Sequence, residues 1–560
     1  MKREYTPLII LILAILVFLS PVLFTSSTYF LRDLTYIFHP WRTFTAELVQ
    51  RGEMPLWNPY IHCGMPLLAN WQSAVFYPLS LPFYFFSFVT GLKLFQVGHL
   101  LIAGIFAYLW GRSVPLNRWA SAGVMIVWVF NGYMITRLEF LSHYGVDVWL
   151  FAALLLSRNP LLLALSLAIA FFAGHYIIGL VAAVAIIYRT LHNPVWLRAT
   201  MKYWLIFCTI FFSIIACQFL PTIGLILQTS RFKEGYSIAI AMAYSVTFSD
   251  IVHLINPFLS TSSIPAIVGE KFSWATSFHI GFCAFLCGIL GFVRSKMTTL
   301  KVFSGILFLA GILLALGNHS FFYPWLYRTV PIISTIRYPT QFLLLTIIGS
   351  AIVTGLGLQQ LRRAKFFVVV ILIELIVVSW NFQITAPHAY FYSSSPLVKY
   401  LQEHSNQGTN RFILSPGTET DRNFVGTTAQ DAWQSARGML YNLSCMPYHI
   451  ANAYGSGEPL TNNLLETSID TAYRASSATE AMPLYRRLGI RYLVCKNILP
   501  PRTGYIPIMP HLYELPGPTA TENYQIYRPP SFRAGAAITI MMLIMLSFIA
   551  FRFLTRSKIT

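Results

Sequence analysis

The sequence predicts an all-α polytopic membrane protein of about 12 transmembrane helices, with a small α+β extracytoplasmic domain near the C-terminus. Three features predict it. Of the 560 residues, 56% are hydrophobic and only 11% are charged, against ~25% charged in soluble globular chains. Apolar runs of bilayer-spanning length recur along the chain. The short segments that separate them on one side are basic throughout, as the orientation rule for cytoplasmic loops requires. That pattern also accounts for the net charge of +19 as topology, and it excludes a nucleic-acid partner.

In chain order, Met1-Lys2-Arg3 precedes an apolar run, 7–24, that no small-x-small cleavage site follows, so it reads as a span starting inside. It delivers Asp33 to the outer face. Spans follow at about 92–110, 119–136 and 144–157. The run 161–188 is too long for one untilted span and is interrupted by Gly174-His175. It reads as a helical hairpin with His175 near its outer tip, a single tilted helix being the alternative. Further spans fall at 203–227, 277–293, 302–316, 341–358, 366–383 and 534–551. Arg112 and Arg118, Arg158, Arg189, Arg198 and Lys202, Arg294, Lys296 and Lys301, Arg362, Arg363 and Lys365, and Arg552, Arg556 and Lys558 then lie inside. Both termini are cytoplasmic on this reading, and the protein belongs to the inner (cytoplasmic) membrane. It divides into a membrane domain (1–383) with a large first outer loop (25–91), an extracytoplasmic domain (384–533), and a last helix with a basic tail (534–560). In the outer domain, Arg411–Leu414 and 491–495 read as strands, and 395–404 and 482–488 as helices.

Chemistry gathers at the outer face. Asp33 follows the first span directly, and a carboxylate where a helix leaves the bilayer suits a general base for an acceptor hydroxyl. A helix cap or interfacial anchor is the plain alternative. Arg337, Arg231 and Arg328, with Arg137 nearer the early spans, have the planar fork that suits a phosphate, though each could snorkel as an anchor. Arg337 stands out because Tyr338-Pro339 fixes the chain just before a span. Trp57, Asn58, Asn70 and Gln72 mix aromatics with amides as a sugar platform does, while Trp and Tyr also form interfacial belts. Glu139, His143 and Asp147 recur every four residues and would share a helix face. Their types suit a divalent cation, Mg or Mn, or a hydrogen-bonded polar cluster near the acceptor. His143 and His175 are further candidates for binding acceptor or sugar, with polar packing as the plain reading of His175 and of His39. Of seven cysteines, Cys445 and Cys495 fall in the outer domain, where a disulfide would form only in an oxidising compartment.

The string 52–82, GEMPLWNPYIHCGMPLLANWQSAVFYPLSLP, resembles the first-loop signature of the bacterial YfhO-like membrane proteins. Looser agreement follows at Ala173-Gly174-His175, at Gln218-Phe219-Leu220-Pro221-Thr222, through 323–342 and at 488–493. That family is similar to the GT-C superfamily of polyprenyl-phosphate-sugar glycosyltransferases. The resemblance implies a multi-span helical fold, a catalytic acid in the first outer loop (Asp33 here) and a C-terminal outer domain. It implies transfer, with inversion, of a sugar from a polyprenyl-phosphate donor to a cell-envelope acceptor. The family's Gly-His-rich stretch after the third span is replaced here by Glu139-Phe140-Leu141-Ser142-His143-Tyr144, of which His143 carries over. The competing classes are a lipid-linked-sugar flippase, which would place charges at the bilayer midplane in two matching halves, and a non-catalytic carrier-binding protein. Glu374 is the clearest charge within a span.

Overall fold

The structure, a computed structural model, describes residues 5–192, 197–257, 277–406, 410–420, 428–455, 469, 471–474, 478–497, 505–515 and 531–556. Met1-Lys2-Arg3 and Lys558 of the expected inner charges lie outside the described residues.

Helices dominate, and the apolar runs supply them. Among the described residues four helices are long and apolar enough to cross a bilayer: Phe88–Ser113, Thr200–Ile226, Thr298–Ala315 and Pro339–Leu358. Six shorter apolar helices accompany them. Length and composition therefore do not establish the expected 12 spans. The reason is local chemistry, because several expected spans are interrupted. The first runs Thr6–Phe18 and resumes at Ser20–Leu23, with Pro21 at the restart. Asn131 ends Arg118–Phe130, and its side chain accepts from the Met134 amide to start Gly132–Ile135. Leu141–Asp147 and Leu150–Leu156 split another.

The run 161–188 resolves into Pro160–Phe172 and Ile178–His192, parted at Gly174, where φ is +88°. The two helices run out and back. Arg158, just before the first, is within electrostatic reach of Tyr188 and His192 at the end of the second. The hairpin with His175 at its tip is the observed arrangement.

Leu343–Leu358 is the axis of the bundle and is buried along nearly its whole length. Small residues let its neighbours approach closely, as helices in lipid require. A Cβ at Gly357 would stand 1.7 Å from the Cys287 carbonyl oxygen of Phe282–Arg294. Glu374 has a structural explanation: its carboxylate accepts from the Phe282 and Cys283 amides at the N-terminus of that helix, where the dipole favours negative charge. The basic loops meet at one end of the bundle. There the Lys365 ammonium lies 5.8 Å over Trp119, Arg189 4.8 Å over Tyr203, and the Asn117 amide donates to Gln359 Oε1.

At the other end the first loop is folded, not extended. Ser27–Tyr29 pairs antiparallel with Thr385–Pro387, which joins the exit of the first helix to the exit of Ala364–Trp380. A π-helical turn, Leu34–Phe38, leads into His39–Gln50. The outer segment packs directly on this loop: the Asn452 amide donates to Tyr60 O, and Tyr36 lies 4.6 Å from Trp433. Its core is a four-stranded sheet in which Arg411–Leu414 runs parallel to Ile490–Val494. Leu512–Glu514 and Ile506–Met509 follow antiparallel. The first two strands fall where the β-branched and aromatic pattern puts them. The other two escape sequence reading because Ile506–Met509 contains Pro507 and half faces solvent. Helices Pro396–His404 and Ala478–Arg487 occupy the expected places. Cys445 and Cys495 are both free and buried. Cys445 donates to Tyr60 O against the first loop, while Cys495 packs in a separate cluster with Cys63, so they form no disulfide.

Gly174 is held against the first loop: a Cβ there would stand 2.0 Å from the Trp71 carbonyl oxygen. Left-handed backbone alone costs roughly 1–2 kcal/mol for an ordinary residue, and the clash adds to it. Gly174→Ala is expected to lower the thermal midpoint of the purified protein by several degrees; an unchanged midpoint would show that the hairpin tip does not bear on Trp71.

Candidate active site

Five segments converge at the end of the bundle beneath the outer domain. The first is the corner Arg32-Asp33, with Arg32 in the left-handed region (φ +49°) and Asp33 immediately preceding the π-helical turn. The second is the turn 136–140, which carries Arg137 and Glu139. The hairpin tip at His175 is the third, and the short helix Ser230–Lys233 the fourth. The fifth is the corner before Pro339–Phe342, where Tyr338 also adopts a positive φ of +66°. Pro339 pushes the preceding residue off the right-handed helical region, and that turns the chain sharply beside Arg337.

The charges there form a chain. Arg32 Nε stands 3.5 Å from Glu139 Oε1. Asp33 is within electrostatic reach of Glu139 on one side and of Arg337 on the other. Burial raises the Glu139 carboxyl to about 7; Arg32 opposes that rise and Asp33 adds to it. Arg137, fully buried, lies 4.2 Å over Tyr133 and within reach of Asp147 and His143. His143 Nδ1 and Asp147 Oδ2 are 2.8 Å apart, and the His143 ring meets His175 at 4.4 Å. Burial, together with His143 and Arg231, holds the His175 imidazole well below its usual range, so it is neutral at pH 7.

Arg231 and Arg337 are held by aromatic faces and carbonyls. Arg231 donates through Nε and Nη2 to Thr335 O and lies about 5 Å from the Tyr176 and Tyr236 rings. Arg337 lies 4.7 Å over Tyr338 and 5.6 Å over Tyr236. Its carbonyl accepts from Gln341 Nε2 at 2.8 Å. Beside them opens a cavity of about 400 Å³. Its polar lining comes from Gln72, His175, Arg231 and Gln341, and most of its wall is apolar, with Leu180, Ile226, Ile333 and Phe342.

The structure thus brings Asp33, Arg337, Arg231, Gln72, His143 and His175 to one region. It does not bring the rest. Arg328 is exposed at the end of Phe322–Thr329, away from the cavity lining. Trp57 and Asn58 form a short strand paired with Met65–Pro66. Asn58 is buried there, donating to Met446 Sδ and accepting from the Tyr60 amide. The amide that looked free to bind hydroxyls instead fastens the loop to the outer segment. Asn70 is buried too and caps the turn Trp71–Ser73. The expected trio Glu139, His143 and Asp147 is not one cluster. The helix begins only at Leu141, so Glu139 falls in the preceding turn and faces Arg32 while His143 and Asp147 face each other. Among the described residues no three His, Cys, Asp or Glu side chains converge on a common point, and these residues do not fit a Mg or Mn site.

Sequence reading missed Tyr176, Tyr236 and Gln341. Tyr176 and Gln341 lie in or beside the motifs Ala173-Gly174-His175 and 336–342, a usable signal. Tyr236 carried none.

No family model matches the chain, and no curated protein matches it. Among solved structures, the arabinofuranosyltransferase AftD from Mycobacteria aligns with 89% of this chain at 13% identity and a TM-score of 0.55. The likeness is one of fold, shared with AftD along most of this chain. This chain spans about a third (35%) of the AftD chain. An oligosaccharyltransferase from Archaeoglobus fulgidus, in a complex with Zn and sulfate, aligns with 88% of this chain at 12% identity and a TM-score of 0.46. The apolar helices, with the fold shared with AftD, make this a membrane protein.

Glu139 sets a pH signature. Its carboxyl holds a proton more tightly folded than unfolded, so the stability it contributes is complete below about pH 4.5 and is lost as pH rises through about 7. Wild type should therefore lose on the order of 1–3 kcal/mol more stability between pH 5 and pH 8 than Glu139→Gln. Parallel stability profiles for the two proteins would refute the buried-carboxyl assignment.

Proposed function

We propose that the protein is a membrane glycosyltransferase moving one sugar from a polyprenyl-phosphate donor to an extracytoplasmic acceptor of the cell envelope, with inversion. The observation that carries this reading is a charge pair at one end of the bundle, Asp33 within electrostatic reach of Arg337, together with a mostly apolar cavity that Ile336, next to Arg337 in the chain, lines along with Arg231. A polyprenyl phosphate has the matching halves, an isoprenoid for Leu180, Ile226 and Ile333 and a phosphate for an arginine fork. The GT-C-like fold is compatible with it.

In this mechanism an acceptor hydroxyl attacks the anomeric carbon as Asp33 takes its proton. The bond to the phosphate oxygen breaks, and Arg337, with Arg231, stabilises the departing charge. The aromatic faces around both arginines keep the forks from folding back into solvent. Gln72 and His175 line the cavity where a sugar would stand, and neutral His175 would donate or accept one hydrogen bond. The steps use this chain's own side chains; among the described residues no three His, Cys, Asp or Glu side chains converge to hold a metal.

A flippase reading is weaker here. The clearest charge within a span, Glu374, caps a helix and is occupied in holding the bundle together.

Asp33→Asn keeps the size of the side chain and removes its basicity. With membranes supplied with labelled polyprenyl-phosphate sugars, it is expected to lower turnover by at least ~10²-fold while leaving lipid binding intact. Undiminished transfer would remove Asp33 from the reaction, and translocation without transfer in wild type would replace the enzyme reading with the flippase.

A further inference from the structure

A second cavity, of about 430 Å³, opens on the other side of the first loop. Its walls come from three places: the loop helix His39–Gln50, the corner Phe83–Phe88 where the chain enters its next long helix, and the outer segment around Phe391, Arg437 and Tyr448. None of the residues assigned to sugar transfer above lines it.

Two buried guanidinium groups face this space. Arg42 is 1% exposed and Arg437 3%. Arg437 is spoken for: it donates to the carbonyls of Tyr390, Phe391 and Ser393 and lies 5.5 Å from the Tyr448 ring. Arg42 differs. It donates once, through Nη1 to Ser73 O, and lies 5.8 Å from the Phe83 ring, but its Nε and Nη2 have no hydrogen-bond partner among the described residues. A buried cation with open donors is costly unless an anion meets it. The acid that lines the same cavity, Glu47, is engaged with Arg51 and with His449 at 2.7 Å. Burial brings the Arg42 guanidinium only to about 10, so it remains charged at neutral pH. His39, held neutral by burial and by Arg437, adds an unpartnered Nδ1 to the same wall.

The mouth of the cavity is aromatic and exposed. Phe86 (52% exposed) and Tyr392 (58%) line it, and Phe85 (75%) stands next to Phe86. Large aromatic side chains left uncovered where a membrane helix begins belong to the headgroup layer of a bilayer. Apolar rim and cationic floor together describe an amphiphile with a phosphate. We propose that this cavity holds the phosphate of an anionic membrane phospholipid, gripped by Arg42, with the acyl chains leaving over Phe85 and Phe86. The bound lipid would tie the first loop, the bundle and the outer segment together without entering the sugar-transfer site.

Two substitutions test it on the full chain purified in an uncharged detergent. Arg42→Gln removes the grip. Ser87→Asp places a negative charge on the cavity wall and retains the cap of Phe88–Ser113, where the Ser87 hydroxyl now accepts from the Thr90 amide, because Asp caps as well as Ser. Phosphatidylglycerol, glycerol phosphate and diacylglycerol are titrated separately, and the thermal midpoint is read. Phosphatidylglycerol should raise the wild-type midpoint saturably and diacylglycerol should not. Half-saturation should need about tenfold more phosphatidylglycerol, or beyond, in both variants, the loss typical of a charge-assisted hydrogen bond. Glycerol phosphate saturating the site as readily as the lipid would overturn the lipid assignment in favour of a soluble phosphate. Equal phosphatidylglycerol titrations in wild type and Ser87→Asp would overturn the site itself, and that comparison decides the matter even where Arg42→Gln does not fold.

Discussion

Everything at the loop-bearing end of this molecule answers to the cost of burying a charged group beside a bilayer. An arginine taken out of water must find carbonyls, aromatic faces or an anion. Arg231 lies between Tyr176 and Tyr236 and donates to Thr335 O, while Arg337 lies over Tyr236 and Tyr338. Arg137 rests on Tyr133, and Arg437 takes three carbonyls of the segment that leads into the outer sheet. These contacts fix where the loops between helices can go, and so they shape the cavity.

The same constraint explains why the acids stand where they do. Glu139 and Asp33 share a corner with Arg32 and Arg337. Burial, opposed by Arg32 and assisted by Asp33, raises the Glu139 carboxyl to about 7. Inside the bundle Glu374 meets the cost differently, by accepting from two amides that a helix N-terminus leaves unsatisfied. Polar residues in this membrane protein therefore act as joints between segments. Asn58 is the plainest example, an amide spent on Met446 and the Tyr60 backbone.

The first loop and the outer segment form one structure. Ser27–Tyr29 with Thr385–Pro387 makes a short ribbon between distant parts of the chain, and aromatic packing from Tyr36 and His39 continues it. Motion of the outer segment would move His39–Gln50, and with it the loop that begins at Asp33. A substrate bound under that loop would feel such motion directly.

By itself the sequence determined the apolar helices, the one-sided basic loops that gather at one end of the bundle, the hairpin broken at Gly174, and the parallel strand pair Arg411–Leu414 and Ile490–Val494 of the four-stranded sheet. These are local or periodic properties, legible wherever neighbouring residues decide the conformation. It also pointed to the outer face as the place where Asp33, Arg231, Arg337, Gln72, His143 and His175 belong. Tertiary structure alone decided which of those share a cavity and which residues are joints. The four-residue spacing of Glu139, His143 and Asp147 suggested a shared face, but a helix start at Leu141 parted them. Arg42 carried no sequence signal at all, since a lone arginine in a loop reads as solvated until the fold buries it. Side-chain roles of this kind depend on what segments hundreds of residues apart bring against them, and no local pattern records that.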